Sequence, residues 1–485
     1  MSSTATIDAG RKTALILRDK LGADKVILPN DAHPDLGKYG TNFYFIAQSS
    51  QIAPACRVLP INVTDVSETI RIVREAGATF AVKAGGHCPY PSGTNAENGI
   101  TIDLSRLKDM TVSDDRKSVV VGAGCRFGEL YHKLEAHGLG CVGGRISSVG
   151  VSGLTMGGGI SFFSSERGLA CDNVISYELV LANGEVLNVT KKSHPDLFWG
   201  MRGAGITFGI VTRLELKTFD LGEIWGGASA FAHEYETAIF DAFNKFVHTN
   251  QDPLAEAFLI ATDMVKDGNS VYTMVMSHSN PQSGTPSAFD DFKCLTPLFS
   301  STQTRTLKNF CDEMDSQNES GFRYRTTSMS VKCHLSTLRQ IAAIHDESVA
   351  LLKDCAGFVP SLLYQPLLEA MLPRDNVGNA LGIKPEDTPL IDISLLWRWT
   401  DIQHDKQISQ VADQFVEKVE KAAQANGTFH RYQYLNYATG HQDVYGGYGE
   451  ENRKRLLEIS SKYDPDGLMP KLRPGIIQLS GSQKT

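Results

Sequence analysis

The sequence predicts an α+β protein of two domains, the second an antiparallel sheet backed by helices. Three observations carry this. At 485 residues the chain exceeds what one ordinary core holds. Up to residue 222, short alternating strands follow glycine-rich turns and helices are few. From residue 223, longer helical patterns (Glu234 to Val247, Thr337 to Lys353, His404 to Gln424) interleave with strands such as "EAFLIATDMV", "SVYTMVMSHS" and "PLIDISLLWRW". The expected divisions are 1–222, 223–430 and an aromatic, loop-rich segment 431–485 that returns to the first domain.

Taken in order, "MSSTATIDAGRKTALILRDKLG" reads as an amphipathic surface helix, because Arg11, Lys12, Arg18 and Asp19 interrupt its apolar residues. Val66, Ile70, Val73 and Ala76 recur at helical spacing after a capping candidate at Asp65, and Gly77 supplies the stop. "ATFAVKA" then reads as a strand that enters a Gly-Gly-His turn. "GITIDLSRL" and "KSVVVGAG" alternate like strands, and a helix follows with Phe127, Leu130 and Leu134 on one face and Gly138 at its end. Asn183-Gly184 between two alternating runs predicts a hairpin with a type I′ turn. "FGIVTRLELKTF" reads as the closing strand of this region, and Asp267-Gly268 as a second hairpin turn.

Composition narrows the function classes. A net charge of −8 and no Lys/Arg cluster argue against a nucleic-acid binder. No run of about 18 apolar residues is present, so no transmembrane helix is expected. The amino terminus lacks the pattern of a signal peptide. The nine cysteines are scattered singly without a C-x-x-C pair, which suits reduced thiols and an expected cytoplasmic location. No H-x-H or H-E-x-x-H spacing suggests a metal, and no G-x-S-x-G elbow suggests a hydrolase.

Glycine is where the sequence is most informative. "VVVGAGCRFGEL" approaches a dinucleotide fingerprint, but its third glycine falls one place late and no carboxylate ends the next strand. Separated turns at 83–87, 143–159 and 203–209 fit a different use, each presenting backbone N–H groups to one extended phosphate-bearing ligand. In "AGGHCPYPSGTN" a histidine, His87, stands directly behind two glycines, where the backbone can enter φ > 0 or approach something bulky. A polar turn residue is the bland alternative.

"P-x-x-V-x-D-V-x-E-T-I" leading to "VKAGGHCPYPSGTN…GITIDLSRL", with "SSVGVSGLTMGGGISFFSSERGLACDNVISYELVLANGEVL…HPDLFWGMRGAGITFGIVT", resembles the flavin-binding half of the vanillyl-alcohol-oxidase (PCMH-type) superfamily. "YQYLNYATG…YGEENRKRLLEISSKYDPDGL" resembles the C-terminal segment of berberine-bridge-like enzymes, and the nearest group is the fungal natural-product FAD-linked oxidases. The resemblance covers about residues 50–220 and 430–470. It implies a two-lobed PCMH-type FAD-binding domain with a core at about 50–222, followed by a substrate domain. It also implies FAD joined through its 8α carbon to His87. Lys83, Ala84, Gly85, Gly86 and Cys88, then Val149, Gly150 and Gly153, then Gly157, Gly158 and Gly159, and finally Gly209, Ile210 and Val211 would complete the cradle. Many relatives bind the flavin a second time through a cysteine three residues before the Val-Gly. That position is Ile146 here, and Cys141 is too early, so one covalent bond is expected.

By the same resemblance Val149 stands where oxygen access is gated, Asn436 holds the flavin or shapes the tail, and Tyr437 deprotonates substrate. A tyrosine needs a cation or hydrogen bond to act as a base near neutrality, and a buried structural tyrosine is the alternative. Tyr364, Trp397 and Trp399 are candidates for the substrate face, with core packing as the alternative. The expected reaction is oxidation of a small secondary-metabolite intermediate, with hydride passing to flavin N5 and O2 yielding H2O2, and with ring closure as a further outcome. A flavin-containing cyclase without redox chemistry, a dehydrogenase with another acceptor and a binding protein on a degenerate scaffold are the alternatives.

Overall fold

In the computed structural model, residues 4–31, 43–264, 269–281 and 283–481 are described. Two small sheets lie in the amino-terminal part. The first orders Val26–Ile27, Cys56–Val58, Ile100–Asp103 and Phe80–Lys83, with the last three strands parallel. The second is antiparallel and orders Met110–Val112, Ser118–Gly122, Ile210–Lys217, Val174–Val180 and Val186–Thr190. Ile210–Lys217, expected to close this region, is its central strand.

Local chemistry explains these elements. The helix Val63–Ala76 buries Val66, Ile70 and Val73 and ends at Gly77 with φ 63°. Its cap is Asn62, whose side chain accepts the Asp65 N–H; Asp65 belongs to the first turn. The expected cap was therefore placed one turn too late. The hairpin at 183–184 forms, but only Gly184 has positive φ (82°), so it cannot be type I′, which needs Asn183 there as well. Gly184 N–H donates to Leu181 O instead, a tight turn followed by a left-handed glycine.

A large antiparallel sheet dominates the rest, its main path running Phe299–Ser300, Ile224–Phe231, Asn269–His278, Ala255–Met264, Ser361–Leu367, Leu390–Trp399, Met329–Lys332 and Phe429–His430. The turn residues Asp267 and Gly268 lie outside the described residues; the strands either side of them pair antiparallel. Helices Glu236–Thr249, Leu335–Ala350 and Asp405–Ala425 cover one face, closing a core with Leu259, Tyr364, Ile393, Trp397 and Trp399. Alternation sends Phe258, Ile260, Leu363, Gln365 and Ser394 to the opposite face, toward the glycine-rich loops. The fold is thus α+β, with that second face meeting the small sheets across a cleft.

The carboxyl-terminal segment packs back on the amino-terminal part and lends Tyr434 to Tyr437, Arg473 and Ile476 to the cleft wall. Tyr448 Oη donates to Gly203 O at 2.9 Å, Lys462 pairs with Asp196 at 2.6 Å, and Met469 packs in the core beside Ile70 and Val73. Among the described residues no helix is long and apolar enough to cross a membrane.

Candidate active site

The strand Phe80–Lys83 delivers the chain into the Gly-Gly-His turn. A Cβ on Gly85 would stand 2.4 Å from Gly150 N and 2.5 Å from its Cα, so the turn and the 149–150 loop cross backbone to backbone. Gly86 has φ 82°, and its carbonyl accepts the Phe45 N–H at 2.9 Å. These constraints aim His87. Its ring stacks on Phe45 (centroids 4.7 Å apart, planes 18°), which in turn stacks on Tyr324 at 4.6 Å. His87 Nε2 is buried with no hydrogen-bond partner. Burial, helped by the Arg126 charge, pushes the imidazole down to about 3, so it is neutral near pH 7.

A cleft of about 330 Å³ opens in front of this ring. Ala84 to Cys88, Val149, Gly150, Gly153, Gly209, Ile210 and Val211 all line it, as do Asn436 and Tyr437. Asn436 Nδ2 donates to Leu154 O at 3.0 Å and to Tyr434 Oη at 2.9 Å. Tyr437 Oη accepts from Arg145 Nη2 at 3.0 Å, which supplies the cation that a tyrosine base requires. Cys88 Sγ turns toward Gly93, and burial raises its thiol to about 11. Ile146 also lines the cleft, while Cys141 is buried in the core beside Phe127.

Three expectations need correction. Lys83 does not reach the cleft: its Nζ is buried against Asp103 Oδ2 at 3.0 Å, both side chains 0% exposed. Gly157, Gly158 and Gly159 stand behind the cleft wall. There the Gly159 and Ile160 N–H groups donate to Tyr434 Oη at 3.2 and 3.1 Å, so they do not point at a phosphate. Tyr364, Trp397 and Trp399 lie on the helix-covered face of the large sheet, away from the cleft. Tyr364 meets Phe240 edge-on at 5.3 Å, Trp397 Nε1 donates to His345 Nε2 at 3.0 Å, and Trp399 Nε1 donates to Asp405 at 2.8 Å. Strand alternation gives the cleft their neighbours Leu363 and Leu396 instead.

Comparison with known proteins agrees with this geometry. Residues 54–190 match the model of an FAD binding domain. An FAD-dependent monooxygenase of Cochliobolus heterostrophus is 34% identical over 448 residues, covering 89% of this chain and 86% of that protein. The chain belongs to the FAD-dependent oxidoreductases that include this fungal monooxygenase. A second such monooxygenase, of Fusarium proliferatum, is 32% identical over 90% of this chain and 86% of its own. The fold is shared with 6-hydroxy-D-nicotine oxidase of Arthrobacter nicotinovorans (TM-score 0.76, 20% identity, 92% and 96% of the two chains). It is also shared with berberine bridge enzyme solved with (S)-reticuline (TM-score 0.75, 18% identity, 94% and 97%).

The residues of this FAD-linked enzyme fit the cofactor. Four buried polar atoms on the cleft wall lack hydrogen-bond partners: His87 Nε2, Thr94 Oγ1, Thr326 Oγ1 and Arg473 Nε. A Cβ on Gly153 would meet no atom within 4 Å, so the cleft is open against that backbone. Arg473 is 6% exposed, donates to Ile206 O at 2.7 Å and faces Tyr90 and Cys88 without a carboxylate; burial lowers it to about 10. A buried cation so placed suits a diphosphate.

Sequence reasoning missed Arg145, Arg473 and the buried pair Asp392–Ser394. Asp392 Oδ2 accepts from Ser394 Oγ at 2.7 Å, Ser394 lines the cleft, and burial raises the Asp392 carboxyl to about 7. Arg145 had a usable signal, since "GGR" at 143–145 sets a long polar side chain directly behind two glycines, as "GGH" does at 85–87.

Proposed function

We propose that this FAD-dependent enzyme is an oxidase of a small natural-product intermediate. Its flavin would be held by one covalent bond from His87 to the 8α carbon, and hydride would pass from a substrate C–H while Tyr437 takes a proton. Bound, the flavin supplies the two-electron acceptor and the place where O2 is reduced to H2O2.

The chain's own residues do the rest. Ala84 to Gly86 and Val149 to Gly153 bring their backbone against the cofactor, and Arg473 offers charge to its diphosphate. Phe45 fixes the His87 ring plane, and the low proton affinity of that ring keeps a lone pair free. Ile146 in place of a cysteine leaves His87 as the single tether. Arg145 holds Tyr437 by its hydroxyl oxygen, so the base faces the cleft from a fixed direction. Val149 is small enough to leave a path for O2.

The observation that carries this reading is the buried, unpartnered and neutral His87 ring at the cleft wall. The test is acid precipitation of purified protein, followed by spectra of pellet and supernatant. Flavin absorbance should stay with the wild-type pellet and move to the supernatant for His87→Ala; wild-type flavin in the supernatant removes the covalent claim. Peroxide equal to the oxygen consumed supports an oxidase. A product labelled from 18O2, with peroxide below stoichiometry, would replace it with the monooxygenase chemistry after which the curated relatives are named.

A further inference from the structure

We propose that the substrate half of the cleft takes an apolar ring system carrying one anionic oxygen, a carboxylate or an ionised phenol or enol, and that Arg145 selects it. This rests on the reading of the cleft as the place where substrate meets the flavin.

The wall is apolar where the large sheet faces the loops. Phe258, Ile260, Leu363, Leu396, Met314 and Ile146 form it. Arg145 projects into that wall from the 143–150 loop. Its Nη1 donates to Gln365 Oε1 at 2.6 Å, its Nη2 to Tyr437 Oη at 3.0 Å, and its guanidinium carbon lies 4.2 Å from the centre of the Phe258 ring. Neither hydrogen-bond partner is a carboxylate, and each takes a single donor. A guanidinium carries five N–H donors, so three remain without a partner among the described residues.

The neighbouring carboxyls are committed elsewhere. No Asp or Glu lines the cleft among the described residues. Glu256, which lies within the field of Arg145, accepts the Ser165 N–H at 2.5 Å. Asp392 is held by the hydroxyls of Ser328 and Ser394. Arg473, the other arginine of the cleft, has a different set of neighbours, Cys88, Tyr90 and Ile206. Arg145 is therefore the cation of the substrate half, fixed in plane by Phe258 and in rotation by Gln365.

Guanidinium donors left open in an apolar wall are costly until an anion arrives, and the arriving anion finds them already oriented. A neutral ligand of the same shape leaves those donors unsatisfied, which is how a site rejects an isostere strongly. Apolar shape alone discriminates far less.

The test is calorimetric titration of holoenzyme at pH 8 with benzoate and 4-nitrophenolate, against the uncharged benzamide and nitrobenzene. The anions should bind about ten- to a hundredfold more tightly. A preference confined to benzoate identifies a carboxylate substrate, and one confined to nitrophenolate an acidic hydroxyl. Arg145→Met should abolish the preference, while Tyr437→Phe, which keeps the guanidinium, should retain it. If Arg145→Met does not fold, Arg145→Lys carries the comparison: charge without the planar fork should lose most of the benzoate preference. Equal binding of anions and isosteres by wild type, or a preference that survives loss of the guanidinium, overturns the proposal. Flavin content is read on the same preparations. A flavin-free protein that still shows an Arg145-dependent preference would count against the oxidase reading alone.

Discussion

Removing Lys83 separates a structural cation from a cofactor ligand. Lys83 and Asp103 are register neighbours on parallel strands, with Nζ 3.0 and 3.2 Å from the two carboxylate oxygens and both side chains fully buried. Two unit charges at that separation attract by about 5 kcal/mol at an effective dielectric near 20. Deleting one partner of a buried pair costs about 3–5 kcal/mol, because the other charge is left without compensation. Lys83→Met should lower stability by that amount. Flavin content should fall with it, since Lys83 is the residue from which the 84–87 turn departs. The double variant Lys83→Met/Asp103→Leu removes both charges and should recover most of the stability and the flavin. The measurements are thermal unfolding by circular dichroism at one scan rate and flavin retained in the acid pellet. A single variant within about 1 kcal/mol of wild type would refute the argument. A double variant that is stable but flavin-free would restore Lys83 as a phosphate ligand.

Four further outcomes follow from the same geometry. Gly85→Ala drives a Cβ to 2.4 Å from Gly150 N and should cost at least about 3 kcal/mol, seen as insoluble or low-melting protein. Gly153→Ala sits in a helix where the new Cβ meets no atom within 4 Å; its melting temperature should hold or rise while flavin content drops, and full flavin content would show that no cofactor lies there. Asp392 keeps its proton to about pH 7 when folded but releases it near 3.8 when unfolded, so its linkage destabilises the fold as pH rises from about 4 to 7 and then levels off. Asp392→Asn should therefore flatten the melting temperature between pH 5 and 8, by about 2–3 kcal/mol of stability, and an unchanged slope would contradict the buried neutral carboxyl. Tyr437→Phe should lower kcat by about 10² to 10⁴ with flavin content unchanged, and activity near wild type in stopped-flow traces would remove Tyr437 as the base.

What the residues disclosed and what they hid divide along physical lines. The turns at 84–87, 149–153 and 209–211 were legible because a glycine that lets two backbones cross, as Gly85 and Gly150 do, leaves its mark in the local sequence. The helices after 223 were legible because each buries one stripe. Strand parity was not. When both faces of a sheet are buried, apolar residues occupy every position, and alternation shows the period but not which set faces the ligand. Tyr364, Trp397 and Trp399 drew attention as large aromatics, yet size favours the helix-covered face, and the cleft received Leu363 and Ser394. Lys83 failed for a related reason: its partner Asp103 is 20 residues away, and only the parallel pairing of their strands brings the charges together. Gly157 to Gly159 looked like a phosphate nest because a glycine run shows that backbone is free, not what its N–H groups meet. The Tyr434 hydroxyl, 275 residues downstream of Gly159, had already taken that residue's N–H and the next one, and Leu154 and Thr155 carbonyls take those of Gly157 and Gly158. A motif read from one segment therefore locates turns well. It assigns donors only where no distant side chain has claimed them first.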